Sequence, residues 1–390
     1  MKGRELQLRS MLDCFQTAGA QAFIWGPRGV GKTSLGHTSC IAHDEYVEKV
    51  GDVPCDENLT FNDFILQVVR QAHSKGRISD RFKNLEAGLS FYGVGLTIKG
   101  ALNSDNQNVR TTAQAADILT DAFNVKTFPY RKPVVIIDEF DTLENPETIT
   151  LISSLLKQLS VAGSPLKFVF CGVAKDLTEL KVAHASVERY VHAVELRPLT
   201  ADAIIEIISD VEAEFGLRFS NGQKYRIAQI AGGYPHFAHL ILHNVLINAY
   251  EDGYETNEVS TSLYKKGVHD SASQAATRLR QAYSTATQKG TDRYVEVLWA
   301  AANGPHLERQ FKDILSDFRQ IMTKRPEREG IGSDVNIRNH LNSLCREANG
   351  AVLRRRNPGW YAFTDPMFRS YVRMVADNEG IELGAESFRD

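Results

Sequence analysis

The chain has 390 residues, more than one typical hydrophobic core organises, so we expect two or three domains. Hydrophobic residues make up 43% and charged residues 24%, as in an ordinary globular protein, and the net charge of −3 excludes a general attraction to nucleic acid or anionic membranes. The sequence shows no membrane-spanning run, no secretory signal and no CxxC pair, so we expect a cytoplasmic protein with reduced thiols, no zinc site and no membrane partner.

The first half of the chain alternates helical and strand patterns. We predict helices over 5–18, 113–124 and 146–160, and strands at 22–25, 50–55, 133–141, 167–172 and 191–197. The segment PVVIIDEFD (133–141) begins as an uninterrupted apolar run, which is typical of a central parallel strand covered on both faces. The alternation predicts an α/β fold with a doubly wound parallel sheet. A Gly-rich, partly alternating stretch at 89–100 predicts a hairpin inside a surface insertion at 76–112.

The second half changes to helical patterns. Helices are predicted over 201–216, 223–231, 234–250 and 260–284, then over 291–302, 306–322 and 334–347, with short strands at 351–356 and 360–364. Three helices and a hairpin predict a winged helix. The expected domains are the α/β domain at 1–198, an α-helical lid at 199–285, a winged helix at 286–378 and a tail at 379–390.

The segment GPRGVGKT, at residues 26–33, matches the phosphate-binding pattern GxxxxGK[ST] and lies between an apolar strand and a helix. Glycine lets backbone N–H groups approach triphosphate oxygens, and the helix N-terminus favours negative charge. Lys32 is predicted to reach the β- and γ-phosphates, and the Thr33 hydroxyl to bind Mg²⁺. The predicted cofactors are ATP and Mg²⁺, and the predicted nucleotide-binding residues are Gly26, Pro27, Arg28, Gly29, Val30, Gly31, Lys32, Thr33 and Ser34.

Two carboxylates, Asp138 and Glu139, follow the apolar strand. In a phosphate-loop enzyme one carboxylate at this place holds the water shell of Mg²⁺, and the next can take a proton from the attacking water. We therefore predict Asp138 as a metal residue, and Glu139 with Lys32 as catalytic residues. An ordinary acidic loop after a strand is the structural alternative.

With these residues in place, the chain resembles the AAA+ class over roughly residues 2–375, and most of all the origin-recognition-like and STAND-related ATPases that end in a winged helix. The segments that carry the resemblance are GRE (3–5), GPRGVGKT, VVIIDEFD, HASVERYVHAVELRPL (184–199) and GGYPHF (232–237). The resemblance implies that adenine lies near Gly3, Arg4 and Glu5, and we take Arg4 as the nucleotide-binding residue.

In such families the arginine of a Ser-x-x-Arg pattern before the fifth strand reaches the γ-phosphate of a neighbouring subunit. Here the pattern is Ser186, Val187, Glu188, Arg189. The resemblance implies that Arg189 is catalytic in trans and that the ATPase domain self-associates, because a cation at the γ-phosphate stabilises developing charge. A surface arginine ahead of a strand is the alternative.

Two segments depart from the pattern of the initiator ATPases. The fourth strand offers Cys171 and Gly172 where a polar residue is usual, and the lid motif has Pro235 and His236 where initiators often carry an arginine. The lid motif is closer to the STAND style, which implies that Pro235 and His236 contact the nucleotide, with His236 at the β-phosphate. A histidine that only caps a helix is the alternative. These departures suit a slow switch that changes shape on hydrolysis.

The predicted winged helix carries cations and amides on its expected outer face. Arg338, Asn339, Asn342 and Arg346 would face outward from helix 334–347 and suit a major groove. Arg354, Arg355 and Arg356 form a basic patch on the wing, where arginines contact phosphates. Alternate arginines on one strand could instead point to opposite faces, and winged helices also serve as protein–protein modules.

The favoured hypothesis is an AAA+ switch that couples ATP binding and hydrolysis to oligomerisation and DNA binding. The second is a STAND-like signalling or antiviral-defence scaffold whose C-terminal module binds a protein partner or a separate effector. A third is a nucleotide-binding protein without useful turnover.

Overall fold

The computed structural model describes residues 1–74, 111–124, 128–183, 188–253, 257–288, 293–325 and 334–384. The insertion predicted at 76–112 lies almost entirely outside these ranges, together with its hairpin. The chain divides into two compact units: the first holds residues 3–27 and 31–197 with Met1, and the second holds residues 198–390 with Lys2 and residues 28–30. The finer division of the second unit into lid, winged helix and tail stays a prediction.

The first unit is a five-stranded sheet flanked by helices. Its strands are β1 (Gln21–Trp25), β2 (Val47–Pro54), β3 (Lys132–Asp138), β4 (Lys167–Gly172) and β5 (Val191–Glu195). Its helices are α1 (Glu5–Gln16), α2 (Lys32–Ala42), α3 (Phe61–Ser74), α4 (Thr112–Ala122), α5 (Pro146–Val161) and α6 (Ala174–Ala183). The strands pair in parallel in the order β2-β3-β4-β1-β5, which confirms the predicted doubly wound fold class.

The apolar run of β3 is buried on both faces of the sheet. On one face, Ile136 lies under α2, where a methyl group added to Gly36 would sit 3.4 Å from its Cδ1 atom. On the other face, Val135 and Ile137 belong to a core that α3, α4 and α5 cover. The strand therefore needs no polar alternation, and its first carboxylate, Asp138, comes where the chain leaves the sheet.

The second unit combines helices with a small antiparallel sheet. Its helices are α7 (Ala201–Phe215), α8 (Asn221–Ala231), α9 (Pro235–Glu251), α10 (Thr261–Gln274), α11 (Thr277–Thr287), α12 (Tyr294–Asn303), α13 (Phe311–Thr323), α14 (Asp334–Leu344) and α15 (Pro366–Asn378). Its strands are β6 (Glu308–Gln310), β7 (Leu353–Arg355) and β8 (Trp360–Phe363), in the order β6-β8-β7. These elements make the helical lid and the winged helix, and one continuous hydrophobic core runs through both, from Ile204 to Leu383.

Two helices of the second unit differ from the sequence predictions. The helix predicted over 260–284 is two helices, because Ala275 and Ala276 are extended, with ψ angles of 153° and 132°. Tertiary packing makes this break, since neither residue is a helix breaker. The helix predicted over 306–322 begins only at Phe311, because Glu308–Gln310 pairs with β8. In α1, the residues Met11, Cys14 and Phe15 are buried, whereas Leu6 is 78% exposed.

Among the described residues, no helix has both the length and the apolar character needed to cross a membrane. All five cysteines lie in the described ranges, and they are free thiols.

Candidate nucleotide site and nucleic-acid interface

The phosphate loop (residues 26–33) joins the end of β1 to the start of α2. The last residue of β1, Trp25, is paired with Gly172 of β4, and the Gly26 N–H donates to the Gly172 carbonyl at 3.3 Å. Gly31 precedes α2 with φ of 97°, and no side chain caps the helix. The N-terminus of α2 therefore borders the loop without a side-chain cap, and a helix N-terminus favours an anion electrostatically.

Gly26 fits a place where a side chain would not. A methyl group added there would lie 2.3 Å from the Leu196 carbonyl oxygen, at the end of the neighbouring chain segment. The loop can therefore leave the sheet in this direction only with glycine at its first position.

The three polar side chains predicted at the phosphate site come together. The Lys32 ammonium group donates to the carbonyls of Gly26 and Pro27 at the start of the loop, at 3.1 and 3.2 Å. The Thr33 hydroxyl donates to both carboxylate oxygens of Asp138, at 2.9 and 3.0 Å. Residues 105 positions apart in the sequence thus meet at one edge of the sheet.

This set of donors and acceptors fits a magnesium nucleotide. A hydroxyl and a carboxylate are the oxygen ligands that Mg²⁺ prefers, and they lie beside each other at Thr33 and Asp138. The Lys32 ammonium and the uncapped N–H groups of α2 match the negative charge of phosphates.

Glu139 is held in an unusual backbone conformation next to this pair. Its φ of 53° lies in the left-handed region, which non-glycine residues rarely adopt. Its N–H donates to Asp138 Oδ1 at 2.9 Å, and its carbonyl accepts the Thr142 N–H and hydroxyl, each at 2.8 Å. Glu139 is exposed, so the turn presents a carboxylate to solvent directly after Asp138.

Two further residues shape this edge of the sheet, and no local sequence motif marks them. Thr142 also donates to the Cys55 carbonyl at 2.9 Å, which ties the turn after β3 to the segment after β2. Asp176, in α6, accepts the Val173 N–H at 2.6 Å, and burial raises the pKa of its carboxyl group, with a further contribution from Asp141. A methyl group on Gly172 would lie 2.7 Å from that carboxylate.

The other predicted nucleotide-binding residues are more scattered. Arg4 is buried, and burial lowers the pKa of its guanidinium group. Arg28 and Ser34 are exposed, and Gly29 has a left-handed φ of 75°. In the second unit, Pro235 is the first residue of α9 and is followed by the exposed His236.

Arg189 lies at the opposite edge of the sheet from its own phosphate loop. It is exposed and precedes β5, whose first residue, Val191, is in register with Gln21 at the start of β1. The phosphate loop instead follows the last residue of β1. Five strand residues separate the two edges by about 15 Å. Ser186 and Val187 lie outside the described residues.

The three arginines of the wing do not share one face. Leu353 is buried, and Arg355, two residues later on the same strand, lies on the same face of the small sheet. Arg354 and Arg356 lie on the other face, where Arg356 is ion-paired with Glu308 at 3.1 Å. All three arginine side chains are exposed. Neighbouring arginines of the wing therefore lie on alternate faces of the small sheet.

Arg355 lies on the same side as the outer residues of α14. Burial raises the pKa of the Tyr361 hydroxyl, and the positive charges of Arg355 and Arg338 act against this shift, so both arginines lie near that ring. The Tyr361 hydroxyl donates to Asn342 Oδ1 at 2.9 Å. Arg338 stacks on Phe311, with its guanidinium carbon 4.3 Å from the ring centre.

A polar cavity of about 370 Å³ opens on the same helix. It is lined by Tyr294, Asn339, His340, Asn342, Ser343 and Arg346. We call this cavity together with Arg338 and Arg355 the α14 surface. It places hydrogen-bonding amides between exposed cations, the combination that contacts base edges and phosphates.

No protein-family model and no curated protein sequence matches this chain. Solved structures do match it. The chain is similar to the crystal structure of Cdc6p from Pyrobaculum aerophilum, with a TM-score of 0.50 and 16% identity, over 97% of this chain and 94% of that chain. It is also similar to the Aeropyrum pernix ORC2 protein in its ADP form (TM-score 0.46, 14% identity, 97% and 95% of the two chains) and to a Thermotoga maritima RuvB variant (0.44, 14%, 98% and 96%).

At such identities the likeness concerns the fold. The structure shares the fold of that Cdc6p structure, and the fold that the sequence resemblance implied is confirmed. The comparison covers nearly the whole chain, so it includes the helical lid and the winged helix as well as the sheet.

Proposed function

We propose that this protein is an ATP-binding and ATP-hydrolysing switch whose nucleotide state controls self-association and DNA binding. The observation that carries the proposal is the convergence of Lys32, Thr33 and Asp138 beside the uncapped start of α2. Few functions other than binding a metal–phosphate ligand require an ammonium, a hydroxyl and a carboxylate at a helix N-terminus.

The chemistry follows from this arrangement. When bound, Mg²⁺ neutralises charge on the β- and γ-phosphate oxygens and fixes their position. Thr33 and Asp138 would hold the ion, and Lys32 would exchange its two loop carbonyls for phosphate oxygens. The exposed carboxylate of Glu139 would orient the attacking water and accept its proton. The strained turn fixes the Glu139 backbone next to Asp138, because the Glu139 N–H donates to Asp138 Oδ1.

Binding of a fluorescent ATP analogue with Mg²⁺ tests the nucleotide site. Lys32→Ala should weaken binding about 10- to 100-fold, because a charged hydrogen bond to phosphate contributes about 1.5–3 kcal/mol. Lys175→Ala is the matched control, since this exposed lysine lies on α6 and forms an ion pair with Glu179. Unchanged affinity in Lys32→Ala would exclude the proposed site.

We propose that the α14 surface is the DNA-binding face. Arg355 lies on the same face as the outer residues of α14. The Tyr361 hydroxyl donates to Asn342 Oδ1 and so fixes the orientation of an amide that could hydrogen-bond to base edges. Arg354 and Arg356 remain predictions for phosphate contacts from the other face of the wing.

The two faces of the wing can be compared directly. Arg355→Ala should weaken binding to duplex DNA and reduce the slope of log affinity against log salt by about one. Arg354→Ala removes the same charge from the same strand on the opposite face and should have the smaller effect. Equal losses would contradict the assignment to the α14 surface.

A protein-binding scaffold is the second candidate. Two contacts favour the protein-binding scaffold: Arg356 is ion-paired with Glu308, and Arg338 stacks on Phe311. Both arginines are thus engaged within the winged helix rather than left for DNA phosphates. Absence of a salt-dependent gel shift with duplex DNA, in wild-type protein that still binds nucleotide, would favour this scaffold.

A further inference from the structure

Helix α15, which follows the wing, carries two arginines that are buried one turn apart. Arg369 and Arg373 are 6% and 3% exposed, and among the described residues neither is ion-paired with a carboxylate. Burying an unpaired charge is costly unless the charge is hydrogen-bonded. Both guanidinium groups meet this requirement through backbone carbonyls alone.

The two arginines bond different sets of carbonyls. Arg369 donates only to the end of α12 and the following turn, at the carbonyls of Ala302, Gly304 and Pro305. Arg373 also donates there, to the carbonyls of Ala302, Asn303 and Gly304, at 2.8, 3.2 and 2.7 Å. In addition, Arg373 donates to the Gln229 carbonyl at 2.7 Å.

The additional bond reaches a different part of the unit. Gln229 lies in the last turn of α8, a helix of the predicted lid, whereas α12 and α15 belong to the predicted winged helix. Helix C-termini leave carbonyls without intrahelical partners and carry partial negative charge. One guanidinium group therefore caps the ends of two helices from two parts of the fold.

Three neighbouring contacts strengthen the same junction. The Ser370 hydroxyl donates to the Ala231 carbonyl at 3.0 Å, at the last residue of α8. Asp377, near the end of α15, accepts Arg226 Nε at 3.0 Å and the Tyr264 hydroxyl at 3.3 Å, and these partners lie on α8 and α10. Helix α8 ends at Ala231, directly before the segment 232–237, in which the sequence resemblance assigns nucleotide contact to Pro235 and His236.

We infer that Arg373 is a positioning residue that locks the winged helix to α8, so that lid and winged helix move as one body. The transmission of nucleotide state through this joint rests on the proposed function, whereas the joint itself does not. Because this connection is rigid, a displacement of residues 232–236 would also move the α14 surface.

The rigidity of the connection between lid and winged helix can be tested without nucleotide, by measuring the distance between two spin labels. Labels at Glu206→Cys on α7 and Ser316→Cys on α13, both exposed positions, would report the lid and the winged helix in a Cys345→Ser background. We expect one narrow distance distribution in the wild-type background and a broad one in Arg373→Met. A distribution as narrow as wild type in Arg373→Met overturns the inference.

Arg369→Met is the matched control, because it removes a buried arginine from the same helix but no bond to α8. Its distribution should stay narrow; broadening equal to that of Arg373→Met would show general loosening and overturn the specific role. If Arg373→Met does not fold, Arg373→Lys serves instead. Lysine keeps the charge but cannot reproduce the planar fork that serves both helix ends, so broadening is again expected and its absence counts against the joint.

A second readout tests transmission. In wild type, DNA affinity should differ between the nucleotide-free and the analogue-bound protein; this ratio should fall toward one in Arg373→Met and persist in Arg369→Met. A ratio that Arg373→Met keeps would overturn transmission through this residue. If the proposed function is wrong, wild-type protein will bind no nucleotide. The distances between the spin labels would still test whether Arg373 holds the winged helix to α8.

Discussion

Glu139 has a φ of 53° in a turn that Thr142 closes from both its N–H and its hydroxyl. Such a conformation costs a non-glycine residue of order 1–3 kcal/mol, and it persists only where the surroundings enforce it. Here the surroundings are the hydrogen bonds of Asp138 and Thr142. The strain and the exposed carboxylate together suggest that this position is kept for its chemistry rather than for its contribution to folding.

Glu139→Asn separates these two roles. Phosphate release should fall about 100-fold or more, since the amide cannot accept a proton. The free energy of unfolding should stay equal or rise by up to about 1 kcal/mol, because asparagine tolerates the left-handed region better than glutamate does.

Steady-state phosphate release and urea denaturation measure both effects. Glu144→Gln, which changes an exposed acidic residue shortly after the turn, is the control and should leave both quantities unchanged. Wild-type turnover in Glu139→Asn would contradict a catalytic role.

Which residues the sequence could predict depends on where their partners lie. Gly26, Lys32 and Thr33 lie within eight consecutive residues, and Asp138 ends an apolar strand, so local patterns were enough to select them as candidates. Thr142 and Asp176 were missed, because their roles depend on the Cys55 carbonyl and the Val173 N–H in three dimensions.

At the scale of elements, the C-terminus of α1 shows how a helix is fixed to the sheet. The last turn of α1 has no basic residue of its own. Instead, Lys132 of β3 donates to the carbonyls of Phe15 and Gln16, and Lys167 of β4 donates to those of Cys14, Thr17 and Ala20. Two strands thus supply the cations that the helix end favours.

Lys167 should make stability depend on pH. It is 2% exposed, and burial lowers the pKa of its ammonium group to about 8 from 10.5. Between these two values the unfolded chain binds more protons, so the free energy of unfolding should rise with pH across this window, by at most about 3 kcal/mol. Below pH 8 the full cost of burying the charge is present.

Urea denaturation of wild type and Lys167→Met between pH 7.5 and 10.5 measures this rise. Groups that titrate in both proteins cancel in the difference, so only wild type should show the additional increase. Parallel stability curves would exclude Lys167 as the cause.

The elements themselves show what a single sequence can and cannot specify. The β4 strand and the start of α5 matched their predicted bounds, because apolar runs and the Asn145–Pro146 helix start are local signals. The break at Ala275 and the pairing of Glu308–Gln310 with β8 carry no such signal, since tertiary contacts decide both.

At the scale of the whole molecule, the position of Arg189 is consistent with assembly. An arginine at the edge of the sheet opposite its own phosphate loop has to act, if it acts on phosphate, on a loop of another copy. The sequence supplied the residue through a family resemblance, and the strand register supplies the reason why it would act in trans.

Mixing two inactive variants tests this arrangement. Arg189→Ala keeps the phosphate loop, and Lys32→Ala keeps the arginine, so each should release phosphate slowly alone, and the mixture should recover part of the wild-type rate. A mixture no faster than its components, or an Arg189→Ala variant as active as wild type, would contradict action between subunits.

The continuous core of the second unit also limits how the winged helix can be exchanged or isolated. Helix α15 packs in the same hydrophobic core as α8 and α12. Cutting the chain near residue 286 would therefore expose hydrophobic surface on both fragments. Recombination between related genes would leave both compact units whole if the crossover lay near residue 198, so that lid and winged helix were inherited together.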